Sequence, residues 1–318
     1  MPDKIDVMDW ATRFAAFVDR KITAAVTARI PGYVTTESNG AALGLRSITG
    51  GWASERFDGP FFESEASNPA LPAVNTVFVQ SSDKNTGAQN PMDLGGGLTD
   101  KHLIYEGLSS AHADAIITGA STIRGAQMVM AIWHPELVAL RTALGLERFP
   151  VQVVATRSGD LDIESALLFN VPELRVFILT DDTGAEELES HTRRRPWVRV
   201  LSSGRESDVI AGLKTLRADH GITRVSCIGG RTLTTQLIDA GVVQDLYLTT
   251  SPKPGGEPNT PFYTGAQPLN TTLVVSKAGR DEETGVRFEH LRFPAIPSAS
   301  STRAGGSDRG RGRWDSHT

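Results

Sequence analysis

The sequence predicts an α/β fold with a mainly parallel central sheet, helices on both faces and a C-terminal antiparallel hairpin. Three observations carry this expectation. From Val74 onward, short apolar runs alternate with stretches of helical periodicity, the pattern of strands joined by helical crossovers. Most of these runs are continuously apolar, as expected of strands covered on both faces. Near the C-terminus, "TTLVVSKAGRDEETGVRFEHLRF" holds two alternating segments around a turn region with Gly285, which adds an antiparallel edge.

In chain order, Val7, Trp10, Phe14, Phe17, Val18, Ile22 and Ala25 recur at three- and four-residue spacing, which predicts an amphipathic helix docked on the domain or on a second subunit. Asp9, Arg13, Asp19 and Arg20 interrupt any signal-peptide core or membrane span, so no membrane role is expected. Residues 31–73 are rich in Gly, Pro, Ser and Asn and read as a wrapping arm with two short strands, so residues 1–73 form a helix and arm ahead of the main domain. Next, "VNTVFVQS" reads as a strand, "TDKHLIYEGLSSA" as a helix capped by Thr99 or Asp100, and "ADAIITG" as a buried strand. The alternation continues with a helix at "PELVALRTALGL", strands at "VQVVATR", "RVFILT" and "VRVL", a helix at "DVIAGLKTLRADHG" and a strand at "RVSCIG". The main domain spans residues 74–294. Residues 295–318 have almost nothing to bury, and a disordered tail is expected.

Composition narrows the function. The 318 residues, 39% hydrophobic and 22% charged, suffice for one large core. A net charge of -5 gives no general field for a phosphate backbone, and the short Arg-Gly run of the tail lacks interleaved aromatics apart from Trp314, so nucleic acid is not an expected partner. The single cysteine, Cys227, cannot form an internal disulfide, which fits a cytoplasmic protein. His134-Pro135-Glu136 matches half of a zinc-deaminase signature whose P-C-x-x-C half needs two cysteines, so no metal is expected. H-E-x-x-H, G-x-S-x-G, the Walker lysine loop and a complete G-x-G-x-x-G are all absent from the sequence.

What remains is a site marked by glycines. In "RVSCIGGRTLTTQLIDAG" a strand gives way to Gly229 and Gly230 and then to a helix, where bare backbone and unpaired N–H groups suit a phosphate. "ADAIITGASTIRG" repeats the device, with Gly119, Ser121, Thr122 and Arg124 at a strand end. "VVATRSGDLD" ends a third strand with Thr156, Arg157 and Ser158, and a guanidinium flanked by hydroxyls suits a 2′-phosphate, favouring NADPH over NADH. In open α/β sheets ligands bind at the carboxyl ends of strands, so these corners can face one dinucleotide.

Over residues 74–293 the chain resembles the dihydrofolate-reductase-like superfamily, and within it the C-terminal reductase domain of the bifunctional riboflavin-biosynthesis deaminase-reductase. The resemblance rests on "ADAIITGASTIRG" and on "IGGRTLTTQLIDAGVVQDLYLTTSP". It implies a dihydrofolate-reductase-like fold and NADPH as cofactor. Gly119, Ser121, Thr122 and Arg124 would line the phosphates, and Thr156, Arg157 and Ser158 the adenosine end. Ile228, Gly229, Gly230, Thr232 and Leu233 would lie by the pyrophosphate or nicotinamide. Riboflavin-pathway reductases usually carry Glu before the glycine pair; here it is Ile228, as in the I-G-G of dihydrofolate reductases. "VQSSDKNTG" is similar to the family's first strand and turn, and makes Asp83 the candidate catalytic residue, with Asp83, Lys84 and Asp100 as substrate contacts. The implied reaction is hydride transfer to a small polar substrate, a ribosylamino-pyrimidine, by a homodimer. Alternatives are a pterin or dihydrofolate-type reductase and a non-catalytic NADPH-binding protein.

Overall fold

The computed structural model describes residues 7–48, 50–88, 90–124, 127–205, 208–266 and 268–294. The expected disorder of 295–318 lies outside the described residues, and of Val7 and Met8 only the backbone is described.

The strands are β1 (Tyr33–Ser38), β2 (Arg46–Ile48), β3 (Phe61–Glu63), β4 (Ala73–Gln80), β5 (Ala115–Gly119), β6 (Val151–Ala155), β7 (Val176–Thr180), β8 (Val198–Ser202), β9 (Arg224–Cys227), β10 (Val243–Thr250), β11 (Thr272–Gly279) and β12 (Arg287–Arg292). The α-helices are α1 (Val7–Thr27), α2 (Gly51–Phe57), α3 (Gly97–Thr99), α4 (Ser109–Ala111), α5 (Ala120–Ile123), α6 (Pro135–Ala143), α7 (Asp182–Thr192), α8 (Val209–His220) and α9 (Arg231–Asp239), and a π-helical stretch, Asp100–Leu108, joins α3 to α4. Ten strands form one sheet in the order β1-β11-β12-β10-β4-β9-β5-β6-β7-β8, and β2 pairs with β3 apart from it. From β10 to β8 all neighbours are parallel, while β12, β11 and β1 add an antiparallel edge. The expected α/β class and C-terminal hairpin are both present.

Alternate residues of each parallel strand serve opposite faces. Ile116 of β5 and Val77 of β4 meet Leu103, Ile104 and Leu137 of the helices on one side. Ile117 of β5 and Val225 of β9 meet Leu213 and Leu216 of α8 and Leu233 and Leu237 of α9 on the other. This two-sided burial explains why these strands read as unbroken apolar runs. Helix α8 starts and stops as its sequence dictates: Asp208 Oδ1 accepts the Ile210 N–H at 2.8 Å, and Gly221 ends it in the left-handed region at φ 67°.

Two regions differ from expectation, the arm and the helical stretch after β4, while α1 takes one of its two expected places. The arm at 31–73 holds three strands and α2 rather than two strands, and β1 joins the main sheet beside β11 because Tyr33 is fully buried against Phe57 and Phe288. Helix α1 docks on its own chain: Phe17 meets Trp133 edge-on at 5.6 Å and Phe14 lies 5.4 Å from Phe149. Neither Thr99 nor Asp100 caps the helical stretch that follows β4, since helical backbone already begins at Gly97 and the Thr99 hydroxyl instead accepts the Gly32 N–H at 3.1 Å. Among the described residues no helix is long and apolar enough to cross a membrane, and no group of His, Cys, Asp and Glu is placed to hold a metal ion.

Candidate functional site

The chain runs outward from β5 through β6 and β7 to β8, then returns to insert β9 between β4 and β5. That return puts the carboxyl ends of β9, β5 and β6 side by side, and a cleft of about 740 Å3 opens over them.

Its floor is bare backbone. Gly230 sits at φ 90° and Gly229 at φ 142°, conformations that residues with a Cβ rarely adopt. A Cβ on Gly230 would lie 3.6 Å from the Gly119 N atom and 3.8 Å from its Cα, in the gap between the two strand ends. Gly230 begins α9 without a side-chain cap, so the first N–H groups of this nine-residue helix lack intrahelical partners. The Ile228 N–H donates to the Ile117 carbonyl at 3.1 Å, which fixes the turn to the neighbouring strand.

The walls carry hydroxyls and guanidinium groups. Ser121 and Arg124 follow β5; Thr156, Arg157 and Ser158 follow β6; Thr232 and Leu233 lie in the first turn of α9. Arg124 Nη2 pairs with Asp160 Oδ2 at 3.0 Å, whereas Arg157 has no ion-pair partner among the described residues. Three guanidinium groups, those of Arg124, Arg157 and Arg231, line the cleft, and among the described residues no Asp or Glu does. On a protein of net charge -5 this is a local reversal of sign.

Of the residues expected at the cofactor, Gly119, Ser121, Arg124, Thr156, Arg157, Ser158, Gly230, Thr232 and Leu233 line this one cleft. Thr122, Ile228 and Gly229 lie behind it. The Thr122 hydroxyl is 4.0 Å from where a Gly229 Cβ would be, and Ile228 turns its side chain into the core, 6% exposed. Arg231, Gln236 and Thr264 line the cleft without having been singled out in the sequence. Arg231 was readable from its place beside the glycine pair. Thr264 was not, because a loop distant in sequence brings it in, with its N–H donating to the Thr235 hydroxyl at 3.2 Å.

The three residues expected at the substrate are not brought together. Asp83 and Lys84 are exposed in the turn after β4; Asp83 Oδ2 accepts the Gly255 N–H at 3.1 Å, and Lys84 is left-handed at φ 65°. Asp100 is buried among Tyr33, Thr249 and Glu283. Burial first, and then the charge of Glu283, push its carboxyl up to about 7.

The family model described as the RibD C-terminal domain matches residues 96–285, well over half of the chain. The protein belongs to this family. The matched RibD C-terminal region includes all three strand ends of the cleft. No sequence among the curated proteins matches the chain. Among solved structures, a pyrimidine reductase-like protein from Corynebacterium diphtheriae superposes with a TM-score of 0.59 at 19% identity over 70% of this chain and 92% of that one. Acinetobacter baumannii RibD gives 0.53 at 18% identity over 71% and 58% of the respective chains. A deaminase/5-amino-6-(5-phosphoribosylamino)uracil reductase from Thermotoga maritima gives 0.50 at 20% identity over 70% and 57%. The chain thus spans less than two thirds of the last two proteins. At these identities the likeness is one of fold.

Proposed function

We propose that the protein is an NADPH-dependent reductase that transfers hydride to a small polar heterocyclic or ribosylamino substrate of the 5-amino-6-(5-phosphoribosylamino)uracil type. The observation that carries this reading is the convergence of three strand-end corners, each with small residues, hydroxyls or a guanidinium group, on one cleft that no Asp or Glu among the described residues lines. The residues fit the cofactor: bare glycine backbone and an uncapped helix start suit its pyrophosphate, and Arg157 with Thr156 and Ser158 suits a 2′-phosphate. When bound, the nicotinamide supplies the hydride.

The chain's own groups bind, orient and move protons. The N–H groups at the start of α9 and the guanidinium groups of Arg124 and Arg231 hold the phosphates, while Gly119 and Gly230 let the ligand lie against backbone. Strand β4 adjoins β9 and runs on past it, with Thr76 opposite Cys227, so the C-terminal half of β4 flanks the glycine pair on the side away from β5, which is where a substrate would approach. In this reading Asp83, in the turn beyond β4, would relay a proton, Lys84 would contact a substrate anion, and Asp100 is a buried carboxyl that takes up a proton near neutrality. Positioning of the reacting carbon does most of the work.

Titration with NADPH and NADH, followed by nicotinamide fluorescence, tests the proposal. Wild type should bind NADPH more tightly than NADH. Gly230→Asp should abolish binding of both, since it adds a carboxylate to the floor. Arg157→Ala should weaken NADPH about tenfold or more and leave NADH nearly unchanged, the scale of a lost charge-assisted hydrogen bond. Absence of binding by the wild type would overturn the reading, and binding without turnover of pyrimidine or pterin substrates would leave a non-catalytic NADPH protein.

A further inference from the structure

The π-helical stretch Asp100–Leu108 is not explained by any role given to the cleft so far. Its backbone breaks after Tyr105: Glu106 has φ -91° and ψ 19°, and Gly107 has φ -143° and ψ -112°. The break is locked in, because a Cβ on Gly107 would come within 2.6 Å of Leu137 Cδ1 and 2.8 Å of the His102 carbonyl oxygen. Wide turns of this kind cost helix stability and recur at functional positions.

Two contacts leave the broken turn in different directions. On one side the Tyr105 hydroxyl donates to the Ile228 carbonyl at 3.2 Å, the peptide that leads into Gly229. On the other, the Glu106 carboxylate is held by Lys21 of α1 and lies 3.2 Å from His102 Nδ1. Burial would raise the Glu106 pKa, but the His102 contact and the charge of Lys21 outweigh it and hold the group below the usual carboxylate range. The carboxylate therefore stays ionised and the link to α1 stays closed. A chain of contacts thus runs from α1, which precedes the segment matched by the family model, through one turn to the glycine pair.

We infer that Tyr105 is a positioning residue for the cofactor, holding the Ile228–Gly229 peptide so that the glycine pair faces the cleft, and that Lys21 sets Tyr105 through Glu106. Glycines at φ 142° and 90° have no side chains to define their path, so the segment before them is held from outside, on its N–H side by the Ile117 carbonyl and on its carbonyl side by the Tyr105 hydroxyl. This inference rests on the NADPH reading of the cleft, and it assigns to the N-terminal helix a function beyond covering the sheet.

The test compares binding of NADPH with binding of adenosine 2′-phosphate, which reaches only the Thr156–Ser158 end. Measurements are made on wild type, Tyr105→Phe, Lys21→Met and the double variant, each with its melting temperature. The expected result for Tyr105→Phe is NADPH binding weakened about five- to tenfold with adenosine 2′-phosphate unchanged, the range of one lost hydrogen bond. Lys21→Met should weaken NADPH in the same direction, and the double variant should bind no more weakly than Tyr105→Phe alone, since both act along one path. A merely structural role would lower the melting temperature and leave the ratio of the two affinities where it was. Equal NADPH affinity in wild type and Tyr105→Phe would overturn the inference while the cofactor reading stands. Should Tyr105→Phe not fold, an unchanged affinity ratio in Lys21→Met would overturn it, and a wild type that binds adenosine 2′-phosphate but not NADPH would remove both.

Discussion

Replacing Asp100 by Asn should make the protein less sensitive to alkaline pH. Asp100 is 6% exposed and faces Glu283, Tyr33 and Thr249, without a cation among the groups that perturb it. Burial, reinforced by the Glu283 charge, raises its pKa from 3.8 to about 7. A raised carboxyl pKa means that the folded state binds the proton more tightly than the unfolded chain does. The associated stability is fully present below the unfolded value, near 4, and is lost as pH rises through about 7. At about 1.4 kcal/mol per unit, a shift of roughly three units corresponds to about 4 kcal/mol lost across that window. Between about pH 5 and about pH 8.5 the loss is about 2–3 kcal/mol.

Asn is close to isosteric with the protonated acid and cannot ionise, so this part of the pH dependence vanishes in Asp100→Asn. Urea unfolding of both proteins at the two pH values is the assay. Titration elsewhere in the chain is common to both proteins and cancels in the comparison. The variant should gain about 2–3 kcal/mol on wild type between the lower and the higher pH. Parallel stability profiles would refute the reasoning, and would mean that Asp100 is already ionised throughout the range.

Two further outcomes concern packing. Phe17→Ala, which removes a 5%-exposed ring from its edge-on contact with Trp133, should cost about 3 kcal/mol in chemical unfolding and leave NADPH affinity intact, because α1 would still hold Lys21 on Glu106. Gly107→Ala should cost about 1–3 kcal/mol, since its methyl meets Leu137 and the His102 carbonyl oxygen, and the loss should appear as a lowered urea midpoint.

How much of this was legible in the sequence follows from where polar residues fall. Strands β5, β6 and β7 read clearly because both faces are covered and their residues are almost wholly apolar. Strand β10 is as deeply buried yet less legible, because Gln244, Asp245 and Thr249 interrupt it. Asp245 is tolerated inside only because His290, at 2.8 Å, and Ser64, through its hydroxyl at 2.7 Å and its N–H at 2.8 Å, satisfy its oxygens. Helix α7 buries little beyond Gly184 and Leu188, too few residues to make a periodic stripe, and its clearest local mark is Asp181, which accepts the Gly184 N–H. At the site, glycines and hydroxyls directly after apolar runs announced all three corners. Asp100 was noticed only by position, since its burial depends on Tyr33 and Glu283, from the two ends of the chain.

The glycine corners matter because of strand order more than because of either motif. Gly119 and Gly230 are remote in sequence, and each alone could be an ordinary turn. They become one floor because β9 returns to lie against β5 and ends at Cys227, opposite Ile117, so that the glycine pair after β9 comes level with Gly119 at the end of β5. Beside them β6 pairs with β5 through Gly119 and Ala155, which sets Thr156 one residue and Arg157 two residues past that same level. Three short segments, none distinctive by itself, are thereby brought into register by backbone hydrogen bonds of a parallel sheet. A ligand that needs both a close backbone approach and a cation some distance along the strand ends, as a phosphorylated dinucleotide does, matches this register better than a compact anion bound at one corner.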